Sequence, residues 1–158
     1  MPEITKLLIA NRGEIARRII RTAHRMGIAT VAVHSDVDAN ALHVREATQS
    51  HALEGNASAD TYLRIDKLIA AARATGADSI HPGYGFLSEN ADFAQAVIDA
   101  GLVWVGPLPA AIRALGSKSA AKQLAQQHGV PVLPGYYGED RKSTRLNSSH
   151  ANISYAVF

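Results

Sequence analysis

Apolar and polar positions fall along this chain in two recurring patterns. Short continuous apolar runs, such as Leu7-Leu8-Ile9-Ala10 and Val31-Ala32-Val33, have the length of strands covered on both faces of a parallel sheet. Between them lie longer blocks with apolar residues at helical spacing. In the first block Ile15, Ile19, Ile20 and Ala23 form a stripe, and Arg17, Arg18, Arg21 and Arg25 fall mostly off it. These patterns predict a strand over 6–11, a helix over 14–26 and a strand over 28–34. Glu14 suits the positive end of that helix, and Gly27 is placed to stop it. The unit of helix, glycine and apolar strand then recurs. Helices over 62–75, 92–100 and 119–128 are followed by Gly76, Gly101 and Gly129, and then by strands over 77–81, 102–105 and 130–133. A helix over 41–47 and a strand over 51–53 fill the weaker stretch between, and a helix over 110–115 follows Pro107 and Pro109. Such alternation predicts an α/β fold: a mainly parallel sheet with helices on both faces.

A junction falls at Gly116-Ser117, where Ser117 is expected to cap the next helix. The reading is one domain over 1–115 and the start of a second over 116–140, with too little chain to complete it. From Arg141 no helical or strand period persists, and residues 141–158 hold four serines, two asparagines and no glycine or proline. The stretch resembles translated adapter sequence at the ends of unrelated reading frames, and is read as a non-native, disordered tail.

Composition adds exclusions. With 47% hydrophobic and 19% charged residues, the chain is that of an ordinary soluble globular protein. It has no cysteine, which removes disulfides and thiolate metal sites. No apolar run reaches the ~18 residues of a membrane span, and strand 6–11 follows Met1 too closely for a targeting peptide, so a cytoplasmic location is expected. The pI near 9.0 suggests a nucleic-acid partner until its source is located. Arg141, Lys142 and Arg145 lie in the tail. Without these three of the 16 basic residues, 13 face 14 acidic ones, a net charge of −1. Nothing in the body therefore argues for a basic binding face.

The candidate site is the stretch 77–90, Ala-Asp-Ser-Ile-His-Pro-Gly-Tyr-Gly-Phe-Leu-Ser-Glu-Asn. Pro82 ends the strand's hydrogen bonding, Gly83 and Gly85 permit positive φ and close backbone approach, and Tyr84 stands between them. A turn at the carboxyl end of a strand is where open α/β sheets bind ligands. Local sequence alone favours a ligand-free strand-to-helix turn. A dinucleotide site would need three spaced glycines after the first strand, whereas 11–16 supplies only Gly13 and places Glu14 where an anion would sit. Asp36 and Asp38 read as solvated turn residues. Most of the seven histidines read as surface or cap residues without metal-pair spacing. His81, at the end of a buried strand, reads as a hydrogen-bonded structural histidine. Lys118 near a helix start can hold a phosphate, although an isolated lysine is more often solvated.

Four stretches taken together resemble the biotin carboxylase family: 6–16 (Lys-Leu-Leu-Ile-Ala-Asn-Arg-Gly-Glu-Ile-Ala), 30–36 (Thr-Val-Ala-Val-His-Ser-Asp), 80–90, and 112–118 (Ile-Arg-Ala-Leu-Gly-Ser-Lys). The resemblance runs in register from about residue 4 to 140. Residues 130–140 look most like the acyl-CoA carboxylase branch, which includes the methylcrotonoyl, propionyl and acetyl enzymes. The resemblance implies a Rossmann-like, pre-ATP-grasp N-terminal domain. It also implies a two-step ligase reaction in which ATP and bicarbonate give carboxyphosphate, and biotin on a carrier protein is then carboxylated with Mg²⁺ or Mn²⁺ on the phosphates. Position by position, Lys118 matches an ATP-contacting lysine, and Tyr84 and Gly85 match the wall of the biotin and bicarbonate cleft. Arg21 matches a homodimer contact, but its usual acidic neighbour is replaced by Arg25. The catalytic and metal-binding residues of the family are expected beyond residue 140, so no catalytic or metal residue is assigned here and the chain alone is expected to be inactive. A carrier protein and a carboxyltransferase are the implied partners. Two rivals remain at this point: a non-catalytic oligomerisation domain and a dinucleotide-binding module.

Overall fold

Leu8 and Ile9 point to opposite faces of the first strand and both are fully buried, so helices must cover the sheet on both sides. The computed structural model describes residues 3–116 and 118–133 and divides between Arg113 and Ala114 into two units. In the first unit the order is β1 (Lys6–Ile9), α1 (Gly13–Arg25), β2 (Ala29–His34), α2 (Leu42–Glu46), β3 (Gln49–Ala52), α3 (Ile65–Thr75), β4 (Ser79–His81), α4 (Ala91–Asp99) and β5 (Val103–Trp104). Helix α5 (Pro109–Leu115) runs across the division, and α6 (Lys118–Gln127) belongs to the second unit.

The five strands are all parallel, in the order β3-β2-β1-β4-β5. On one face Leu8, Val31, Val33 and Ile80 pack under Leu68, Ala71 and Ala72 of α3 and Phe93 and Val97 of α4. On the other, Ile9 meets Ala16 and Ile20 of α1. Alanines at the contact positions let the helices lie close to the sheet. This is the expected α/β layout, with helices on both faces. The edge strands differ from the centre: β3 is polar and largely exposed, and β5 has two residues. Asp78 ties the start of β1 to that of β4, its Oδ2 accepting from the amides of Thr5 and Lys6 at 2.8 and 3.1 Å.

Three expected boundaries move for identifiable reasons. The helix expected from 62 begins at Ile65, because Ser58–Asp60 forms a 3-10 turn and Thr61 takes φ −126°, ψ −94°. Gly76 ends that helix at φ 68°, a left-handed conformation that a side chain would resist. The edge strand expected at 51–53 pairs two residues earlier, with Gln49 opposite Val31. Residues 130–133 do not form a strand: the Val130 amide closes onto Ala125 O at 2.9 Å, and Leu133 is 80% exposed. An apolar run becomes a strand only beside a partner, and none pairs with it among the described residues. The expected cap at Ser117, the Lys118 side chain and the tail at 141–158 lie outside the described residues. No helix among the described residues is long and apolar enough to cross a membrane.

Phe93 is fully buried and meets Trp104 edge-on, with ring centroids 5.3 Å apart. Phe93→Ala is expected to cost about 3–5 kcal/mol. Urea unfolding followed by the fluorescence of Trp104, the single tryptophan, measures it.

Candidate functional site

From β1 the chain steps outward to β2 and β3, whereas β4 and β5 lie on β1's other side. The sheet therefore changes winding direction between β1 and β4, which is where open α/β sheets form a ligand crevice. Two turns border it: residues 10–12 after β1 and 82–90 after β4. The Ala10 amide donates to His81 O at 2.9 Å, so the turns diverge from a shared last rung.

The second turn is fixed by side chains from the first. Asn11 is fully buried, and its Nδ2 donates to Pro82 O and Tyr84 O, each at 2.9 Å. The Gly83 amide donates to His81 Nδ1 at 2.9 Å. Gly83 has φ 67°, and a Cβ there would lie 2.6 Å from Asn11 Nδ2 and 2.9 Å from Ile15 Cγ2. A larger residue would force α1 and the turn apart. Farther along, Leu87 is buried in the core, while Phe86 takes a left-handed φ of 40° and stacks on Tyr62 at 5.1 Å. That stacking offsets a backbone strain of order 1–3 kcal/mol. Asn90 caps α4 by accepting from the Phe93 amide at 2.9 Å.

Tyr84 and Gly85, matched in the sequence to a cleft wall, form the outer part of this turn. The Tyr84 ring is 54% exposed, and its hydroxyl donates to Glu14 Oε1 at 2.5 Å. That bond, with some burial, raises the phenol's pKa above its ordinary value. A cavity of about 440 Å³, lined chiefly by apolar side chains, runs along α1 from Ile4, Met26 and Ile28 near the amino ends of the strands to His81, Gly83 and Tyr84 at this turn. Since His81 Nδ1 accepts from Gly83, its proton sits on Nε2, and burial lowers its pKa. The arrangement offers an aromatic and backbone wall, with the Glu14 carboxylate bonded to its hydroxyl and His81 in the lining of the cavity beside it. Among the described residues no group of three or more His, Cys, Asp or Glu is placed to hold a metal ion.

Behind the turns lies a polar cluster that the sequence reading missed. Asp38, read as solvated, is 8% exposed. It accepts two bonds from Arg12, both at 2.6 Å, one from the Tyr62 hydroxyl at 2.7 Å and one from Ser35 Oγ at 3.3 Å. The bonds from Arg12 lead in holding its carboxyl far below the ordinary carboxylate range, against the opposing effect of burial. Arg12 thus locks the first turn to the end of β2, and Tyr62 joins that lock to Phe86. His43, read with the surface histidines, is 1% exposed. Its Nε2 lies 3.3 Å from Val33 O, its buried Nδ1 has no partner among the described residues, and burial lowers its pKa.

Of the remaining assigned residues, Arg21 is exposed on α1, the helix that carries Glu14. Arg25 lies on the same helix, bonded to Thr22 Oγ1 at 3.2 Å. Lys118 opens α6 in the second unit, whereas Tyr84 and Gly85 belong to the first.

A sequence model of the biotin carboxylase N-terminal domain matches residues 3–112. The chain belongs to that family. It is 51% identical over 154 residues to the mitochondrial methylcrotonoyl-CoA carboxylase α subunit of Dictyostelium discoideum, an overlap of 98% of this chain and 22% of that protein. Against the biotin carboxylase of Nostoc it is 56% identical over 133 residues, covering 84% of this chain and 30% of the other. Among solved structures, the biotin carboxylase domain of a single-chain bacterial carboxylase superposes with a TM-score of 0.82 at 46% identity, over 94% of this chain and 34% of that one. The chain thus spans between about a fifth and a third of these proteins. The resemblance read from the four sequence stretches and the α/β fold class are both shown, and the matched segment includes the turns at β1 and β4.

The two buried histidines set a pH dependence. Each has a folded pKa below the ordinary value of about 6.5. Below that pH the unfolded chain binds protons that the folded chain does not, so stability is full above it and falls as the pH drops. The urea midpoint is expected to decrease between about pH 7 and pH 5, and less steeply in His43→Leu. A midpoint constant over that interval contradicts the assignment.

Proposed function

We propose that this chain is the N-terminal part of a biotin carboxylase that serves an acyl-CoA carboxylase. The observation that carries the proposal is the braced Tyr84–Gly85 turn at the change of winding, inside a segment matched by the family. An exposed tyrosine ring beside a largely apolar cavity suits biotin, whose bicyclic head is uncharged and partly apolar. ATP supplies the energy that activates bicarbonate for carboxyl transfer to carrier-bound biotin, with Mg²⁺ or Mn²⁺ on its phosphates. In that reaction Tyr84 and Gly85 form one wall of the biotin and bicarbonate cleft and orient what rests on it. Lys118, opening α6, contacts the nucleotide where a helix start favours anions.

The groups that carry out the chemistry belong to the part of the parent this chain does not span. Residues 1–115 act as the pre-ATP-grasp domain and 116–140 as the opening of the ATP-grasp domain, followed by a non-native tail. Arg21 contributes to a homodimer contact, weakened where Arg25 replaces an acidic neighbour. A biotin carboxyl carrier and a carboxyltransferase are the partners. Several relatives are named as methylcrotonoyl-CoA or propionyl-CoA carboxylase subunits, which supports an acyl-CoA carboxylase parent without choosing the acyl group. We assign the parent to the cytoplasm, although relatives include proteins named as mitochondrial. A dinucleotide module is disfavoured by geometry, since the opening of α1 presents Glu14 bonded to Tyr84.

The test is a chimera in which this chain's matched segment replaces its 133-residue counterpart in the Nostoc biotin carboxylase. ADP release that requires both bicarbonate and free biotin is expected from the chimera and not from the 158-residue chain. A folded but inactive chimera, or turnover by the isolated chain, contradicts the proposal.

A further inference from the structure

We infer that Asn11 is a positioning residue for the wall made by Tyr84 and Gly85, which rests on reading that wall as part of the biotin and bicarbonate cleft. Asn11 is fully buried at the end of β1, yet its carboxamide bonds to no strand. Its Nδ2 places one N–H on Pro82 O and the other on Tyr84 O, the carbonyls on either side of Gly83. Its Oδ1 accepts from the Arg12 amide at 2.9 Å, so both N–H donors and the carbonyl oxygen are engaged, all on the two turns. His81 Nδ1 holds the Gly83 amide from another direction. Three backbone groups of residues 82–84, Pro82 O, the Gly83 amide and Tyr84 O, are thereby held from within the two turns and β4.

An amide is the side chain this geometry requires. A carboxylate of the same shape would set an oxygen against two carbonyl oxygens. Alanine would remove the donor from the buried Pro82 carbonyl and from the part-buried Tyr84 carbonyl. The close seat of Gly83, where a Cβ would fall 2.6 Å from Nδ2, leaves no slack for the turn to settle elsewhere. Displacement of the wall by a fraction of an ångström is then the direct result of changing Asn11, and loss of orientation at that scale weakens productive binding.

Two measurements test the inference. In the 158-residue chain, Asn11→Asp and Asn11→Ala are expected to raise amide exchange at 83–86 by on the order of tenfold, while β1, β2 and α3 keep their protection. In the chimera the same changes raise KM for free biotin about tenfold and leave KM for ATP within about twofold. Tyr84→Ala, which removes the wall itself, raises KM for biotin as well. Should Tyr84→Ala shift that KM and Asn11→Asp leave it unchanged, the positioning role is wrong and the cleft reading stands. Should neither shift it, the cleft reading fails and takes the inference with it. Equal losses toward biotin and ATP, or loss of cooperative unfolding in both Asn11 variants, make Asn11 a general support of the core and overturn the inference.

Discussion

Backbone polar groups at the carboxyl edge of this sheet leave the ladder of strand pairing while lying buried or partly buried, as Pro82 O and Tyr84 O do. Each must find another partner, because an unpaired buried N–H or C=O costs about as much as a lost hydrogen bond. Asn11 resolves the problem for the turn after β4, and Arg12, through Asp38, ties the turn after β1 to the end of β2. Consecutive residues therefore hold both lips of the crevice. The wall is rigid because its polar interior is satisfied by side chains that are themselves anchored, and not because it is regular structure.

Much of the architecture was legible in the sequence. Apolar runs at β1 and β2 and the repeated helix, glycine and strand units reported strands and helices through burial, which follows periodicity closely in a parallel sheet. The polar edge strand β3 was legible only approximately, because one pairing partner and little burial set its register. Tyr62 shows a different failure. It was placed at the start of the helix expected over 62–75, but the residue precedes that helix and serves the core and Asp38 together. A residue that is apolar by ring and polar by hydroxyl satisfies either pattern.

The site was legible in its outer part and hidden in its support. Pro82, Gly83 and Gly85 announced a constrained turn by their own backbone chemistry. Asn11 and Asp38 carried no such signal, since a polar residue after a strand is ordinarily solvated, and only the fold shows the partners that bury them. One cue was present: Asn11 directly ends an apolar run and precedes a charged residue and a glycine, with no solvated linker between. Asn11 finds Pro82 and Tyr84 at separations of 71 and 73 residues, and Asp38 finds Arg12 and Tyr62 at 26 and 24, distances at which local pattern is silent.

The contrast between the centre of the sheet and its margins bears on how copies of the molecule meet. One margin is β3, lined with Gln49, Ser50 and His51, and the other is β5, only Val103 and Trp104 long. A ribbon so hydrophilic on one side and so short on the other gives a neighbouring backbone little to zip against. Edge-on stacking into continuous cross-strand aggregates is discouraged at both hems.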